Sequence, residues 1–203
     1  MKIVFASANK NKIREIQTLV SELLGEGIEV LSLADIGFHD DIEETGNTFE
    51  ENALIKAKVA AGFGYIALAD DSGLSVEALD GAPGVYSARY CGYHGSDEEN
   101  NAKLLKELEG VSHRAAAYVC AIACAFPDGR EPIITKGDVQ GEILVNPRGA
   151  GGFGYDPLFW YDPYGKTFAE ITAEEKNAIS HRAKAVARMC AILAPIIKEY
   201  ETK

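Results

Sequence analysis

The stretch Ile66-Ala67-Leu68-Ala69-Asp70-Asp71-Ser72-Gly73-Leu74 decides how the chain is read. Ile66 to Ala69 is a short apolar run that reads as a buried strand, and it ends on two adjacent carboxylates, a hydroxyl and a glycine. Successive side chains on a strand point to opposite faces, so Asp70 and Asp71 are expected to project in opposite directions, one toward the core or a neighbouring loop and the other into solvent or a site. Asp-Ser-Gly is also ordinary turn chemistry, and these residues alone are compatible with a turn as well as a site.

Upstream, Lys2 to Ala6 reads as a first buried strand that breaks at Ser7-Ala8-Asn9-Lys10-Asn11-Lys12. Apolar Ile13, Ile16, Leu19, Val20, Leu23 and Leu24 then recur at spacings of three and four, which predicts an amphipathic helix stopped by Gly25. A strand, a polar turn and a helix start offer backbone N–H groups and the positive end of the helix dipole to an anion, and Lys10 and Lys12 add charge. The plainer reading is a helix cap with solvated lysines. The turn matches neither a Walker A loop nor a Gly-x-Gly-x-x-Gly fingerprint.

Ile28 to Leu33 reads as a second strand, followed by an acidic loop, His39 to Asn47. Thr48 and Glu51 have capping-box spacing and open a helix with Phe49, Ala53, Leu54, Ala57 and Ala60 on its inner side, ending at Gly62. Glu43 and Glu44 fall just before this helix. They are either a solvated charge run, or one of them meets an aspartate of the central stretch across a divalent cation, since hard cations take oxygen ligands.

Downstream, Gly81-Ala82-Pro83-Gly84 is a loop that brings Tyr86, Ser87 and Arg89 close, with Arg89 open to pairing with a phosphate or, more plainly, with Asp70 or Asp80. Ser96 and Glu99 form another capping box, opening a helix that stops at Gly110. Three β segments are expected, Ala115 to Phe126, Pro132 to Lys136 and Val139 to Val145; the Pro127-Asp128-Gly129 turn suggests an antiparallel hairpin and so a mixed sheet. Arg148 to Pro157 is glycine-rich, which lets backbone approach a ligand, and Phe153 and Tyr155 offer aromatic faces for a planar base. A strand, Leu158 to Tyr161, leaves it. After an acidic turn or short helix from Glu170, Ser180 is expected to cap a long helix that puts His181 and Arg182 in its first turn. Cations there oppose the helix dipole, which points to a separate task such as donating to carbonyl oxygens of a base.

At 203 residues, 47% of them apolar, the chain can bury a substantial core. No stretch approaches the roughly 18 apolar residues that span a bilayer, and the N-terminal apolar run is too short for a signal peptide, so a cytoplasmic protein with no membrane partner is expected. The four cysteines lack Cys-x-x-Cys spacing and read as buried free thiols. A formal charge of −11 disfavours nucleic acid as a partner. A phosphate-bearing ligand would therefore need local lysines or a metal.

Taken in order, Ser7-Ala8-Asn9-Lys10-Asn11-Lys12, Glu43-Glu44-Thr45-Gly46, Asp70-Asp71-Ser72-Gly73-Leu74, Gly81 to Arg89, Phe153-Gly154-Tyr155-Asp156-Pro157, and Lys176 with Ser180-His181-Arg182 closely resemble the inosine/xanthosine triphosphate pyrophosphatase family. The resemblance spans nearly the whole chain. It implies hydrolysis of dITP, ITP and XTP to monophosphate and pyrophosphate with Mg²⁺, in a single domain over 1–203. The implied fold is an elongated α/β structure, with a long mixed central sheet and flanking helices forming two lobes around a nucleotide cleft, and the implied assembly is a homodimer. By the same resemblance Ser7, Ala8, Asn9, Lys10, Asn11 and Lys12 hold the triphosphate, and Asp71 is the catalytic carboxylate and a metal ligand. The metal glutamate falls in Glu43-Glu44, with Glu43 preferred. Ser72 contacts substrate, Phe153, Gly154, Tyr155 and Asp156 border base and sugar, Lys176 binds nucleotide, and His181 and Arg182 read the oxygen at purine position six. Ser7 and Ala8 stand where many relatives carry Thr and Gly. The alternatives are a pyrophosphatase for modified pyrimidine triphosphates and a nucleotide sensor without turnover.

Overall fold

The computed structural model describes residues 1–25, 27–93 and 96–201, apart from the side chain of residue 201. The elements are β1 (Lys2–Phe5), α1 (Lys10–Leu24), β2 (Glu29–Ser32), α2 (Phe49–Ala61), β3 (Ile66–Val76), α3 (Asp97–Glu107), β4 (Ala115–Ala125), β5 (Ile133–Ile143), β6 (Phe159–Tyr161), β7 (Lys166–Thr167), α4 (Ala173–Ile179) and α5 (His181–Glu201). Among the described residues the strands form one seven-stranded sheet in the order β2-β1-β3-β4-β5-β6-β7. Strand β1 runs parallel to β2 and β3, while β5–β6 and β6–β7 are antiparallel, so the sheet is mixed.

The chain divides into two compact units: Met1–Asp71, Cys120–Gly137 and Arg182–Lys203 form the first, and Ser72–Val119 and Asp138–His181 the second. The first unit has apolar clusters on the two faces of its strands. On one face Ile3, Phe5, Ile66, Leu68, Cys120 and Ile122 pack with Ile16, Leu19 and Val20 of α1 and Val186, Met189 and Leu193 of α5. On the other, Val4, Ala67, Ala69, Ala121 and Ala123 meet Ala53, Ala57, Ala60 and Ala61 of α2. Alanine against alanine lets a helix axis approach a sheet more closely than leucine or isoleucine would. In the second unit, Leu74, Val76, Tyr118, Val139, Ile143 and Phe159 of the strands pack with Leu104 of α3 and with Tyr155, Leu158 and Phe168.

Several boundaries differ from the sequence reading. Strand β3 does not end at Ala69; it continues through Asp-Asp-Ser-Gly to Val76, so those residues are strand and not turn. Gly73 is needed there for space: a Cβ would lie 2.3 Å from Ser87 Oγ and 2.5 Å from the Gly84 carbonyl oxygen. Ser87 Oγ accepts from Leu74 N at 2.9 Å and donates to Gly84 O at 2.6 Å, docking the Gly81–Ser87 segment on the strand. Pro132–Lys136 and Val139–Val145 are one strand, β5, because Gly137 and Asp138 keep extended backbone and the ladder carries on through them. Helix α1 begins at Lys10, three residues before its first apolar position, with Asn9 as its cap. Ser180 directly precedes α5, as expected, and also closes α4, a short helix that opens on its own capping box, Thr172 with Glu175. At α2 the expected box is half made: Thr48 accepts from Glu51 N, while Glu51 accepts from Asn47 N. Arg89 lies over the Tyr86 ring, 5.3 Å from its centroid.

No helix among the described residues is long and apolar enough to cross a membrane. All four cysteines are free thiols. Burial pushes the Cys120 and Cys124 thiols up to about 12 and Cys190 up to about 11, whereas Cys91 is only half-buried. A thiol with a raised pKa carries almost no thiolate near pH 8. Ellman titration of the native protein at pH 8 should therefore show a fast phase from Cys91, with the other three thiols appearing only on denaturation; rapid reaction of all four would contradict the packing.

Candidate active site

The alternation of β3 assigns the two aspartates to different helices. Leu68 faces α1 and α5, while Ala67 and Ala69 face α2. Asp70 continues the first face and Asp71 the second.

Asp70 is 1% exposed and meets Lys12 Nζ at 3.1 Å. Arg182, on the first turn of α5, donates to the same carboxylate from Nε at 3.3 Å and Nη2 at 3.2 Å, and its Nη1 donates to Glu15 of α1. Burial alone would raise the Asp70 carboxyl, but Lys12, Arg182 and Lys56 outweigh it and hold the group well below the usual carboxylate range. Burial likewise opposes the charge on Arg182, and Asp70 and Glu15 more than restore it, so its pKa is raised. A cation at a helix N-terminus, unfavourable against the dipole, is here offset by two carboxylates.

Asp71 is 6% exposed and faces α2. Asn52 Nδ2 donates to its Oδ2 at 3.0 Å, and Lys56 Nζ stands 4.0 Å from Oδ1 while donating to Glu44. Burial raises the Asp71 carboxyl and Glu44 adds to this; Lys56, Lys12 and the Asn52 hydrogen bond act the other way without cancelling it. Burial would lower Lys56, but Asp70, Asp71 and Glu44 override it and keep the ammonium charged. Between the two candidate glutamates the geometry separates clearly: Glu44 is half-buried beside Lys56 and Asp71, whereas Glu43 is exposed, contrary to the preference for Glu43. The sequence reading missed Asn52 and Lys56. The available signal was their i, i+4 spacing beside Ala53 and Ala57, a polar pair next to the small-residue face of one helix.

Among the described residues no group of three or more His, Cys, Asp and Glu side chains is placed to hold a metal. Mg²⁺ asks for less, one or two carboxylates with water and phosphate oxygens filling the remaining positions. Glu44 and Asp71, two mutually repelling oxygen donors, fit that requirement.

The Ser7–Lys12 segment caps its own helix. Asn9 Oδ1 accepts from Asn11 N at 2.9 Å and Lys12 N at 3.2 Å, and Ser7 Oγ accepts from Asn9 N at 3.2 Å. Ala8, Asn9, Lys10 and Asn11 are exposed, and Lys12 turns inward to Asp70.

In the second unit Asp156 is the organising group. It is 2% exposed and accepts from Lys176 Nζ at 2.6 Å, Phe153 N at 3.0 Å and Tyr118 Oη at 3.2 Å. Gly152, with φ of +71°, passes so close that a Cβ would sit 2.1 Å from Asp156 Oδ2. Lys176 Nζ also lies 4.5 Å from the Phe153 ring centroid, a cation–π contact. The Gly154 peptide is held from both sides, its N–H by Asp97 at 2.6 Å and its carbonyl by Asn101 at 3.0 Å. Tyr155 does not offer the aromatic face expected of it: it is 3% exposed in the core and its hydroxyl donates to Ser87 O at 2.8 Å. Phe153 is half-buried. His181 stacks on Tyr118, with centroids 4.9 Å apart and planes at 10°. Ser72 is half-buried on β3.

Because Asp70 is held below its ordinary value, its contribution to stability is fully present above about pH 4, where the unfolded carboxyl ionises, and is lost as the pH falls through the folded value. Asp70→Asn should leave Arg182 and Lys12 without their shared counter-charge and cost about 3–5 kcal/mol at pH 7, narrowing to much less at low pH. Equal melting of variant and wild type at pH 7 would argue against this ion chain.

The Ham1 family model matches residues 3–192. A dITP/XTP pyrophosphatase from Geobacter sulfurreducens is 53% identical over 189 residues, covering 92% of this chain and 93% of its own. One from an Exiguobacterium species is 47% identical, covering 98% and 100%. Among solved structures, a HAM1 protein from Coxiella burnetii superposes with a TM-score of 0.87 at 43% identity, covering 96% of this chain and 99% of that one. The Staphylococcus aureus Ham1 protein gives 0.85 at 42%, covering 95% and 98%. With a family model across most of its length, near-full-length relatives close to half identical, and the same fold, the chain belongs to the Ham1 family.

Proposed function

We propose that this protein hydrolyses non-standard purine nucleoside triphosphates, dITP, ITP and XTP, to the monophosphate and pyrophosphate, with Mg²⁺, as a cytoplasmic homodimer in which residues 1–203 act as one catalytic domain. The observation that carries the chemistry is Asp71, a buried carboxylate of raised pKa with Glu44, Lys56 and Asn52 around it. The substrate class is supported by the names of the near-full-length relatives, each a dITP/XTP pyrophosphatase.

Asp71 orients the attacking water and takes its proton as the oxygen closes on the α-phosphorus, and pyrophosphate leaves. Asp71 and Glu44 would hold Mg²⁺, which would supply neutralisation of the phosphate oxygens. Lys56 stays charged beside both carboxylates and, with Lys10 and Lys12, provides the local positive charge that an acidic chain otherwise lacks. Ser7 and the Ala8–Asn11 backbone receive the triphosphate together with these lysines.

Base and sugar are assigned to Ser72, Phe153, Gly154, Tyr155, Asp156, Lys176, His181 and Arg182. Phe153 offers its face to the purine, while Asp156 and Tyr155 act by holding the loop in shape. His181 and Arg182 are the donors for the six-oxo group; an amino group at that position would present a donor to buried donors, which costs binding. N–H groups on Nε, Nη1 and Nη2 of Arg182 point to Asp70 and Glu15, so its part in selectivity is tied to the buried ion chain.

A pyrophosphate-release screen over ITP, dITP, XTP, ATP, GTP and pyrimidine triphosphates, with and without Mg²⁺, tests this reading. Metal-dependent release from the six-oxo purines well above that from ATP is expected. Asp71→Asn, which keeps shape and removes the base, should reduce turnover by at least ~10³-fold with an unchanged circular dichroism spectrum. Near-normal turnover of XTP by that variant would sink the assignment. Arg182→Ala should narrow the ratio of ITP to ATP hydrolysis and also lower the melting temperature, since it removes one of the two cations paired with Asp70.

A further inference from the structure

Asn52 is fully buried on α2, one turn before Lys56. Its side-chain amide makes two hydrogen bonds of opposite sense. Oδ1 accepts from Gly46 N at 2.8 Å, and Nδ2 donates to Asp71 Oδ2 at 3.0 Å. The orientation is forced, because a flipped amide would set a donor against an N–H and an acceptor against a carboxylate. Gly46 lies two residues beyond Glu44, so a single amide ties the loop that carries Glu44 to the strand that carries Asp71.

The loop is also kept close by space. A Cβ at Gly46 would fall 2.7 Å from Asn52 Oδ1 and 2.6 Å from Glu51 Cβ, so glycine is required for close approach and not for an unusual φ. The chemistry of the tie matters as much as its length. A lysine or arginine at position 52 would hold Asp71 more strongly but would cancel the negative charge that attracts a divalent cation. A neutral amide orients the carboxylate and leaves its charge intact.

From this we infer that Asn52 is a positioning residue: it fixes the Asp71 carboxylate through Oδ2, leaving Oδ1 on the side of Lys56, and sets the separation of Asp71 from the Glu44 loop. The inference rests on the reading of Asp71 and Glu44 as the carboxylates that act with a divalent cation. It extends the working group to a side chain that acts through Asp71.

The test uses Asn52→Ala, which cuts both ties, and Asn52→Asp, which keeps the shape and the acceptor for Gly46 N–H but replaces the donor to Asp71. Mn²⁺ binding to the substrate-free protein is measured by calorimetry, and kcat and KM for ITP at saturating Mg²⁺, with the fold checked by circular dichroism and melting. Asn52→Ala should bind Mn²⁺ roughly 10–100-fold more weakly, and both variants should lose kcat by roughly 10–100-fold with KM changed less than about threefold. If Asn52→Ala does not fold, the kcat of Asn52→Asp decides. Wild-type kcat in a folded Asn52→Asp, or wild-type Mn²⁺ affinity and kcat in a folded Asn52→Ala, would overturn the inference. So would a loss confined to KM or to melting temperature. Asp71→Asn assayed in parallel separates the two levels: an active Asp71→Asn defeats the underlying reading, whereas an inactive one beside a normal Asn52 variant defeats only the role of Asn52.

Discussion

A carboxylate removed from water must be given its counter-charges by the surrounding fold, and in this protein two of them are adjacent on one strand. The two-residue period of β3 sends Asp70 to α1 and α5 and Asp71 to α2, so each meets different partners. Asp70 receives Lys12 and Arg182 and is locked in its ionised form. Asp71 receives a neutral amide and a more distant ammonium, with another carboxylate opposing it, and its pKa rises. Two identical side chains, one peptide bond apart, thereby acquire different partners and opposite shifts in pKa. The difference comes from environment and not from residue type.

The same division explains the two kinds of apolar packing in the first unit. On the α1 and α5 side the core is made of Ile, Leu, Phe and Met, and the long side chains of Lys12 and Arg182 reach inward past it to Asp70. On the α2 side the contact is alanine on alanine, and the helix lies close enough for the short Asn52 side chain to bond directly to Asp71. Replacing those alanines by larger apolar residues would push α2 outward and lengthen the hydrogen bond before it disturbed the strand. The small-residue face therefore serves the site as well as the core.

Local patterns in the sequence were enough to read much of the architecture. Short apolar runs and period-3.6 spacing located β1, α1, β2, α2 and α5, and capping residues placed the start of α3, because these signals depend on neighbours within a few residues. The extent of β3 through Asp-Asp-Ser-Gly was not legible, since turn-forming residues were kept extended by the docking of the Gly81–Ser87 segment, with Gly73 leaving room for Ser87. Gly137 did not break β5 for a related reason: the sheet ladder outweighs the local preference of a glycine. Tyr155 looked like a base platform from its place in a glycine-rich run, yet its ring is buried and its hydroxyl satisfied by a backbone carbonyl.

What the sequence determined by itself was an apolar strand leading into two adjacent aspartates, the lysine-bearing turn and the resemblance carried by ordered motifs. Only the tertiary structure decided that Arg182 pairs with Asp70 and Glu15, that Glu44 rather than Glu43 stands beside Asp71, and that Asn52 and Lys56 belong to the same group. The reason is that alternation along a strand fixes which face a side chain takes, whereas its partner on that face comes from a segment distant in the chain. Asp70 and Arg182 are 112 residues apart, and no local pattern encodes their meeting.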